Sequence, residues 1–470
     1  NIARIRNESY SAPLYIDCQI IISIKEGENI TELETKDLEN ILIGKIPIMV
    51  KSKYCTLSMK GNDEECKYDQ GGYFIINGNE KVIISQEKIA NNLMQIFKNN
   101  KNTKYSYICE IRSLNEDIFS IPKTSSIKIT NKPDKYDNVL KILLPHMRTE
   151  IPLFVLFKAL GCETDKDIIH YIINNDNSES DKGIIKCLRL SLVESSEIST
   201  EKEAVQYISH YINNINGYVQ TEEKKINYVR NYILKDYLNH LGTPLKKLHY
   251  TGFMVHRLIK VHLGIIKPDD RDSYINKRVD TCGYLLGNLT YQCFHKIVKD
   301  IKNYLNKEVN SGVWNINKKY NEIINEVNIN KIIKASYLEN IIKGAMATGN
   351  WGLKVNATKQ GVSQVLNRLT YLSSLSHLRR IQTPGGLDSG KLIEPRKLHP
   401  TCWGYICPSE TPEGQAVGIV KNMSLSCEIT NHLSSQPLRF LIDEFIIRID
   451  EIDIYSFNKN TCKVIINGDL

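Results

Sequence analysis

The sequence predicts an α+β protein of several domains, in which a mixed domain carries a mainly helical insertion and is followed by a basic region. At 470 residues the chain is too long for one ordinary core. The first hundred residues alternate β-rich runs with turns, and from about Cys109 the pattern changes to helical spacing. Hydrophobic residues make up 41% and charged residues 24%, which is typical of folded globular chains.

The clearest strand signal lies between Tyr73 and Ser85, which reads YFIINGNEKVIIS. Two β-rich runs flank Asn77-Gly78, a dipeptide that suits the two positive-φ positions of a tight hairpin turn. We therefore expect a β-hairpin at this point in the mixed domain.

Helical spacing dominates the middle of the chain and predicts a mainly helical insertion. The short segments with this spacing are Ile151 to Leu160, Ala204 to Ile215 and Ile226 to Leu241. Longer helical patterns follow, from after Asp272 to about Tyr304 and from Ile329 to Ala345.

The stretch from Gly361 to Gln415 joins apolar spacing, a glycine-rich loop and many turns. Its apolar residues recur in steps of three and four and predict one helix ending at Arg379-Arg380. They are Val362, Val365, Leu366, Leu369, Leu372, Leu375 and Leu378. The opposite face would leave Gln364, Arg368, Tyr371 and His377 open to a ligand.

Basic residues are concentrated in this same region. Residues 350 to 421 hold nine Lys or Arg and four Asp or Glu, which is +5 of the formal net charge of +8. A solvated face and a phosphate-contacting surface both remain open on this observation.

Two sequence patterns come close to known sites without completing them. Gly385 to Lys391 matches part of a phosphate-binding loop, but Leu392 stands where Ser or Thr should hold magnesium. Asp269, Asp270 and Asp272 could bind a metal, although the neighbouring Arg and Lys favour structural charge pairs.

Cysteine usage predicts buried thiols in a reducing compartment. The twelve cysteines include no C-x-x-C pair. Cys402 and Cys407 with His399 fall short of a four-ligand zinc site, so no metal ligand is predicted in the chain. No apolar run reaches the length that spans a bilayer, so no membrane partner is expected.

Read together, several motifs resemble the second-largest, beta-like subunit of multisubunit DNA-directed RNA polymerases, of the eukaryotic and large-DNA-virus type. The match is strongest across Gly361 to Arg380, Pro395 to His399 and Cys407 to Gln415. The other matching motifs are Gly71 to Gly78, Asp269 to Asp272, Asn276 to Arg278 and Ala347 to Gly352. The resemblance implies the N-terminal portion of such a subunit, and the chain's beginning at Asn1 suggests a segment of something longer.

The resemblance also implies a domain layout. A protrusion would occupy 1–109 and 273–344, a lobe 110–272, a fork with its loops 345–427, and the start of an external region 428–470.

Site residues follow from the same resemblance. Glu413 and Gln415, supported by Arg396, would act near the RNA 3′ end. The nucleic-acid contacts would be Gln364, Arg368, Arg379, Arg380, Lys391 and Lys397. The family's fork loop carries an Arg where this chain has Leu387-Asp388-Ser389 and one extra residue.

The implied activity is template-directed nucleotidyl transfer, performed only with the largest subunit, which would hold the Mg²⁺. Zn²⁺ is expected outside this segment. Expected partners are the largest and smaller polymerase subunits, template DNA, the RNA–DNA hybrid and nucleoside triphosphates. The location would be intracellular: the nucleus of a cell, or the cytoplasmic factory or virion of a large DNA virus. The alternative is a non-catalytic DNA-binding scaffold of the same descent.

Overall fold

The computed structural model describes fifteen stretches of the chain. They are residues 1–26, 29–60, 65–99, 104–115, 120–130, 138–145, 147–173, 179–212, 222–311, 329, 332–353, 359–383, 392–431, 433–452 and 463–469. No helix within these stretches is both long and apolar enough to cross a membrane.

Strands and helices alternate along the described chain. The strands are β1 (Ser11–Glu26), β2 (Asn29–Pro47), β3 (Phe74–Ile76), β4 (Asn79–Ile83), β5 (Ser85–Ile89), β6 (Gln95–Lys98), β7 (Tyr105–Ser113), β8 (Lys123–Thr130), β9 (Leu140–Leu143), β10 (Ile151–Pro152), β11 (Lys277–Asp280), β12 (Ser363–Val365), β13 (Arg380–Gln382) and β14 (Val420–Asn422). The helices are α1 (Ile2–Ile5), α2 (Thr56–Lys60), α3 (Leu153–Ala159), α4 (Asp165–Ile173), α5 (Glu179–Glu194), α6 (Glu201–Ser209), α7 (Glu222–Asp236), α8 (Pro244–His262), α9 (Cys282–Asn310), α10 (Ala335–Thr348), α11 (Tyr371–Leu378) and α12 (Gln436–Ile442). The mixture confirms the predicted α+β class.

The first of two compact units comprises residues 1–88 and 277–429. It contains the long β1–β2 hairpin, a three-stranded sheet in the order β12-β4-β3 and a four-stranded sheet in the order β11-β5-β13-β14. Its largest core joins β3 and β4 to α9 and α10, with Leu289, Ile342 and Trp351 buried at the centre. The indole N–H of Trp351 donates to the Leu285 carbonyl at 3.0 Å, so the polar edge of this core residue is satisfied.

The predicted hairpin at Asn77-Gly78 is confirmed. Strands β3 and β4 are antiparallel and Ile76 pairs with Asn79, which leaves a two-residue turn. Asn77 has φ 49° and Gly78 has φ 78°, the left-handed conformations that this turn requires.

The second unit comprises residues 89–276 and 430–470. An antiparallel five-stranded sheet in the order β10-β9-β8-β7-β6 packs with helices α3 to α8 around one continuous core. The prediction of a mainly helical composition from about Cys109 is correct for the described residues of 153 to 262 and wrong for those of 110 to 152. Alternate side chains of β7 and β9 are buried and fill the inner face of the sheet. In the sequence these strands are short runs, and which strand pairs with which is decided only when the chain folds.

The carboxylates of the Asp269 region have structural roles in this second unit, as the neighbouring cations suggested. Asp269 receives a hydrogen bond from Arg257 at 2.7 Å and another from the Ile96 amide at 2.8 Å. Asp270 receives the Asp272 amide at 2.9 Å. These contacts hold the Asp269 segment against α8 and β6 of the same unit.

The helix predicted from Val362 to Leu378 is wrong over its first half. Ser363–Val365 is a strand that pairs with β4, and helix α11 begins only at Tyr371. Thr370 starts the helix through a reciprocal cap with Ser373. The apolar stripe is therefore not one core face, and solvent reaches 60% of Val365, 86% of Leu369 and 74% of Leu372.

The two longer helical patterns agree better with the observed helices. Helix α9 confirms the pattern that ends near Tyr304 and extends it to Asn310, but the helix begins at Cys282, because strand β11 occupies Lys277–Asp280. Helix α10 confirms most of the next one; Ile329 and Ile332 are helical as well, and a break at Ile333 and Lys334 precedes the start of α10 at Ala335. It ends at Gly349, whose φ of 80° is the left-handed conformation of a helix C-terminus.

Candidate nucleic-acid interface

A buried ion cluster joins the strands that carry the site. Glu87 on β5 has a side chain that is 2% exposed, and it accepts from Lys277 of β11 at 2.8 Å and from Lys421 of β14 at 3.1 Å. Strand β13 lies between β5 and β14, parallel to the first and antiparallel to the second. The cluster therefore links three strands of the sheet through one carboxylate.

Gln364 and His377 hydrogen-bond each other inside the protein, which corrects the expectation that both face a ligand. The Asn367 amide donates to His377 Nδ1 at 3.1 Å. The ring proton must then reside on Nε2, which donates to the Gln364 side-chain oxygen at 3.1 Å. Burial, with the nearby Arg380 charge, lowers the pKa of His377 to about 4, so the ring is neutral at pH 7.

Arg368 is engaged in an ion network at the surface of the first unit, with 40% of its side chain exposed. Its guanidinium donates to Glu80 at 2.7 Å and to Asp69 at 3.1 Å, and it lies 4.9 Å from the ring centre of Tyr73. The hydrogen bond to Glu80 raises the pKa of Arg368 above its ordinary value. These contacts hold the turn before α11 against the β3–β4 hairpin.

Arg379 is likewise turned inward. Its Nη2 group donates to the carbonyls of Ser424 at 2.6 Å, Cys427 at 3.2 Å and Leu425 at 3.3 Å. Arg379 thus caps the turn that follows β14.

The neighbouring Arg380 has different surroundings. It begins β13 and pairs with Asn422 of β14. Its side chain is half-buried, and its Nε atom, like that of Arg379, is buried without a hydrogen-bond partner in the described chain.

Arg396 fastens the turn-dense loop that spans residues 410 to 418. Its Nη1 group donates to the Gln415 carbonyl at 2.7 Å and to the Val417 carbonyl at 2.9 Å. Thr411 closes the base of the loop, because its hydroxyl donates to the Val420 carbonyl at 2.9 Å and accepts from the Gly418 amide at 3.0 Å.

The start of the same loop is attached to α11 and β14. Ser376 on α11 donates a hydrogen bond to the Glu410 carboxylate, and Asn422 on β14 donates to the Glu410 carbonyl at 3.1 Å. The loop is thus held at both ends by elements of the first unit.

Glu413 and Gln415 are exposed, as is most of this loop. Neither side chain has a partner among the described residues. Lys397 is also exposed and pairs with Glu394 at 2.8 Å, with 59% and 71% of the two side chains accessible. The loop therefore presents to solvent an acid and an amide, Glu413 and Gln415, whose side chains make no hydrogen bond within the described chain.

Lys391 and the glycine-rich loop from Pro384 lie outside the described residues. The Cys402 side of the region is described: the Cys402 thiol is buried, which raises its pKa. The His399 ring accepts the Thr401 amide at 3.2 Å. Among the described residues no group of three or more His, Cys, Asp or Glu could hold a metal ion.

Sequence reasoning missed Glu87, Lys277, Lys421 and Gly418. Glu87 and Lys421 are 334 positions apart, so no local spacing could connect them. No local signal marked Glu87 as buried, because β5 reads SQEKI and is mostly polar.

Comparisons with known proteins agree along the chain. The family model described as RNA polymerase beta subunit matches residues 1–340, and the model described as RNA polymerase Rpb2, domain 3, matches residues 364–429. DNA-directed RNA polymerase II subunit 2 of Arabidopsis thaliana is 41% identical over 99% of this chain and 39% of its own length. Subunit Rpo2N of Methanocaldococcus jannaschii is 33% identical over 95% of this chain and 84% of its own length.

A viral relative is similar over most of the chain as well. DNA-directed RNA polymerase subunit 2 of Acanthamoeba polyphaga mimivirus is 32% identical over 88% of this chain and 36% of its own length. The chain spans about two fifths of the length of the eukaryotic relatives that it matches.

Removing the Glu87 charge should destabilise the first unit strongly. Glu87→Gln leaves two lysines without their common counter-charge, and breaking a buried ion pair in this way costs roughly 3–5 kcal/mol. Urea unfolding, followed through the fluorescence of the buried Trp351, measures the change. The control is Glu394→Gln, which breaks an exposed pair and should cost less than about 1 kcal/mol. Equal losses in the two variants would contradict the structural role of Glu87.

The buried His377 should make stability fall as the solution is acidified. Burial holds the pKa of His377 at about 4 in the folded chain, below the ordinary value of 6.5 for a histidine, so the unfolded chain binds a proton first as pH falls. Stability is thus unaffected above pH 6.5 and lost progressively between pH 6.5 and 4. Between pH 7.5 and 5, His377→Gln should lose roughly 2 kcal/mol less unfolding free energy than the wild type. Urea titrations at the two pH values measure this, and parallel losses would contradict it.

Proposed function

The chain belongs to the RNA polymerase beta-subunit family, and from this premise we propose that it is a working part of a DNA-directed RNA polymerase. In the assembled enzyme it forms one side of the active-centre cleft, contacts DNA and the RNA–DNA hybrid, and helps to separate the strands. The observation that carries this proposal is the 410–418 loop. A loop fastened at both ends that holds Glu413 and Gln415 in solvent suits a surface that meets substrate or a partner subunit.

The reaction is template-directed attack of the RNA 3′-hydroxyl on the α-phosphorus of a nucleoside triphosphate, with pyrophosphate leaving. Mg²⁺, when bound, would stabilise the attacking and leaving oxygens. We assign its ligands to the largest subunit, as the family resemblance implies; the described residues of this chain hold no group of three or more His, Cys, Asp or Glu for such an ion. Glu413 and Gln415, held by Arg396, act beside the RNA 3′ end in this scheme.

The predicted nucleic-acid contacts divide into two groups. Arg380, Lys397 and Lys391 are the cations proposed to meet phosphate. Gln364, Arg368 and Arg379 do not contact phosphate in this scheme and instead hold the surrounding structure, because their polar groups already bond to the protein. The phosphate-contacting surface is thus smaller than the count of basic residues suggested.

The family layout gives names to the parts of the chain. The protrusion takes 1–109 and 273–344, the lobe 110–272, the fork 345–427, and an external region begins at 428. Further partners are the smaller polymerase subunits and the nucleoside triphosphates. The compartment is reducing, either a nucleus or a viral factory or virion, which is consistent with the buried thiols of Cys55, Cys109 and Cys293.

Primer extension by the purified polymerase that contains this chain tests the function. On a preassembled RNA–DNA scaffold, which needs no promoter, Glu413→Gln should slow nucleotide addition about tenfold or more, because it removes a charge beside the reacting end. Glu428→Gln, which changes an exposed carboxylate outside the loop, is the control. DNA binding without extension by the unsubstituted assembly would favour the scaffold alternative. Normal extension by Glu413→Gln would show that the site is misassigned.

The salt dependence of hybrid binding tests which cations meet phosphate. Arg380→Ala and Lys397→Ala should each reduce the slope of log affinity against log salt by about 1, because each phosphate contact releases condensed counterions. Filter binding or anisotropy at several salt concentrations measures the slope. Lys302→Ala, on the exposed side of α9, should leave the slope unchanged. An unchanged slope in Arg380→Ala and Lys397→Ala would place these cations away from phosphate.

A further inference from the structure

Two backbone segments cross at Gly418 with no room for a side chain. A Cβ atom added to Gly418 would lie 2.2 Å from the Arg396 carbonyl oxygen and 2.5 Å from the Arg396 Cα atom. Both neighbours belong to the backbone, so no side-chain rotation could relieve the clash. Gly418 also has φ 70°, a left-handed conformation that favours glycine.

The side chain and the backbone of Arg396 both contact the 410–418 loop. The Arg396 side chain reaches the carbonyls of Gln415 and Val417, while its backbone lies against Gly418. The Gly418 amide in turn donates to Thr411 on the other side of the loop. Moving the backbone at Gly418 would therefore disturb both the hydrogen bonds and the closure of the loop.

We propose that Gly418 is a positioning residue for nucleotide addition: its crossing with Arg396 fixes where the 410–418 loop holds Glu413 and Gln415. This inference rests on the proposed function, because it takes these two side chains to act at the RNA 3′ end. It also changes the role of Arg396, which acts through the loop backbone instead of touching the substrate.

Single-nucleotide addition by the assembled polymerase tests the proposal. Gly418→Ala should lower the maximal addition rate about tenfold or more, since displacements of about 1 Å are enough for such losses. The apparent KM for the nucleoside triphosphate should change by less than about twofold, because the loop acts after the substrate has bound. The matched control is Gly404→Ala: Gly404 has φ 80° but no atom within 4 Å of an added Cβ. It carries the same backbone strain without the clash, and its addition rate should stay near that of the wild type.

A coupling measurement separates positioning from general destabilisation. If Gly418 acts through the loop tip, its effect should largely disappear in a Glu413→Ala, Gln415→Ala background, since residues in one pathway are not additive. A second pair of variants, at Arg396, tests the proposal even if the polymerase does not assemble with Gly418→Ala. Arg396→Met should be slow, and Arg396→Lys should restore part of the rate because an ammonium can still donate to a carbonyl.

The outcomes distinguish the two hypotheses. If the Glu413→Ala, Gln415→Ala enzyme adds nucleotides normally, the proposed site is wrong. If that enzyme is slow but Gly418→Ala behaves like Gly404→Ala, or its effect adds fully, the positioning role is wrong and the site stands. Equal rates in Arg396→Met and Arg396→Lys would likewise overturn it.

Discussion

The buried carboxylate of Glu87 is the constraint on which the arrangement of the first unit depends. A charge removed from water is tolerated only when it is paired, and both of its partners come from distant parts of the chain. Lys277 arrives with β11 and Lys421 with β14, while β13 lies between β5 and β14. The ion cluster therefore favours one order of strands, in which the site-bearing segment is held in the sheet.

Hydrogen bonds within the first unit also determine how its basic residues are used. Arg368, Arg379 and Arg396 all donate hydrogen bonds to carboxylates or carbonyls of their own unit. A guanidinium can satisfy several acceptors at once, which makes it well suited to hold turns and loops together. The basic residues of the sequence thus stabilise the protein's own fold in addition to offering charge to a polyanion. The same hydrogen bonds hold the 410–418 loop that carries the exposed Glu413 and Gln415.

Local signals were reliable where one local interaction decides the structure. Asn77-Gly78 fixes a turn through the conformations that its own residues tolerate, and the stripe along α9 needs only one helix face. The segment from Val362 to Leu378 misled the same reasoning. Spacing in threes and fours suited a helix, but Ser363–Val365 gains backbone partners on β4 and the Thr370 cap delays the helix to Tyr371.

By itself the sequence determined the α+β class, the principal helices and the family, because these follow from periodicity, turn chemistry and extended motifs. It also singled out Glu413 and Gln415 as candidates. Only the tertiary structure decided which charges are internal, how Gly418 passes Arg396 and where β13 inserts between β5 and β14. Those outcomes depend on contacts between residues up to 334 positions apart. Such contacts form only when the strands meet, and no local pattern encodes them.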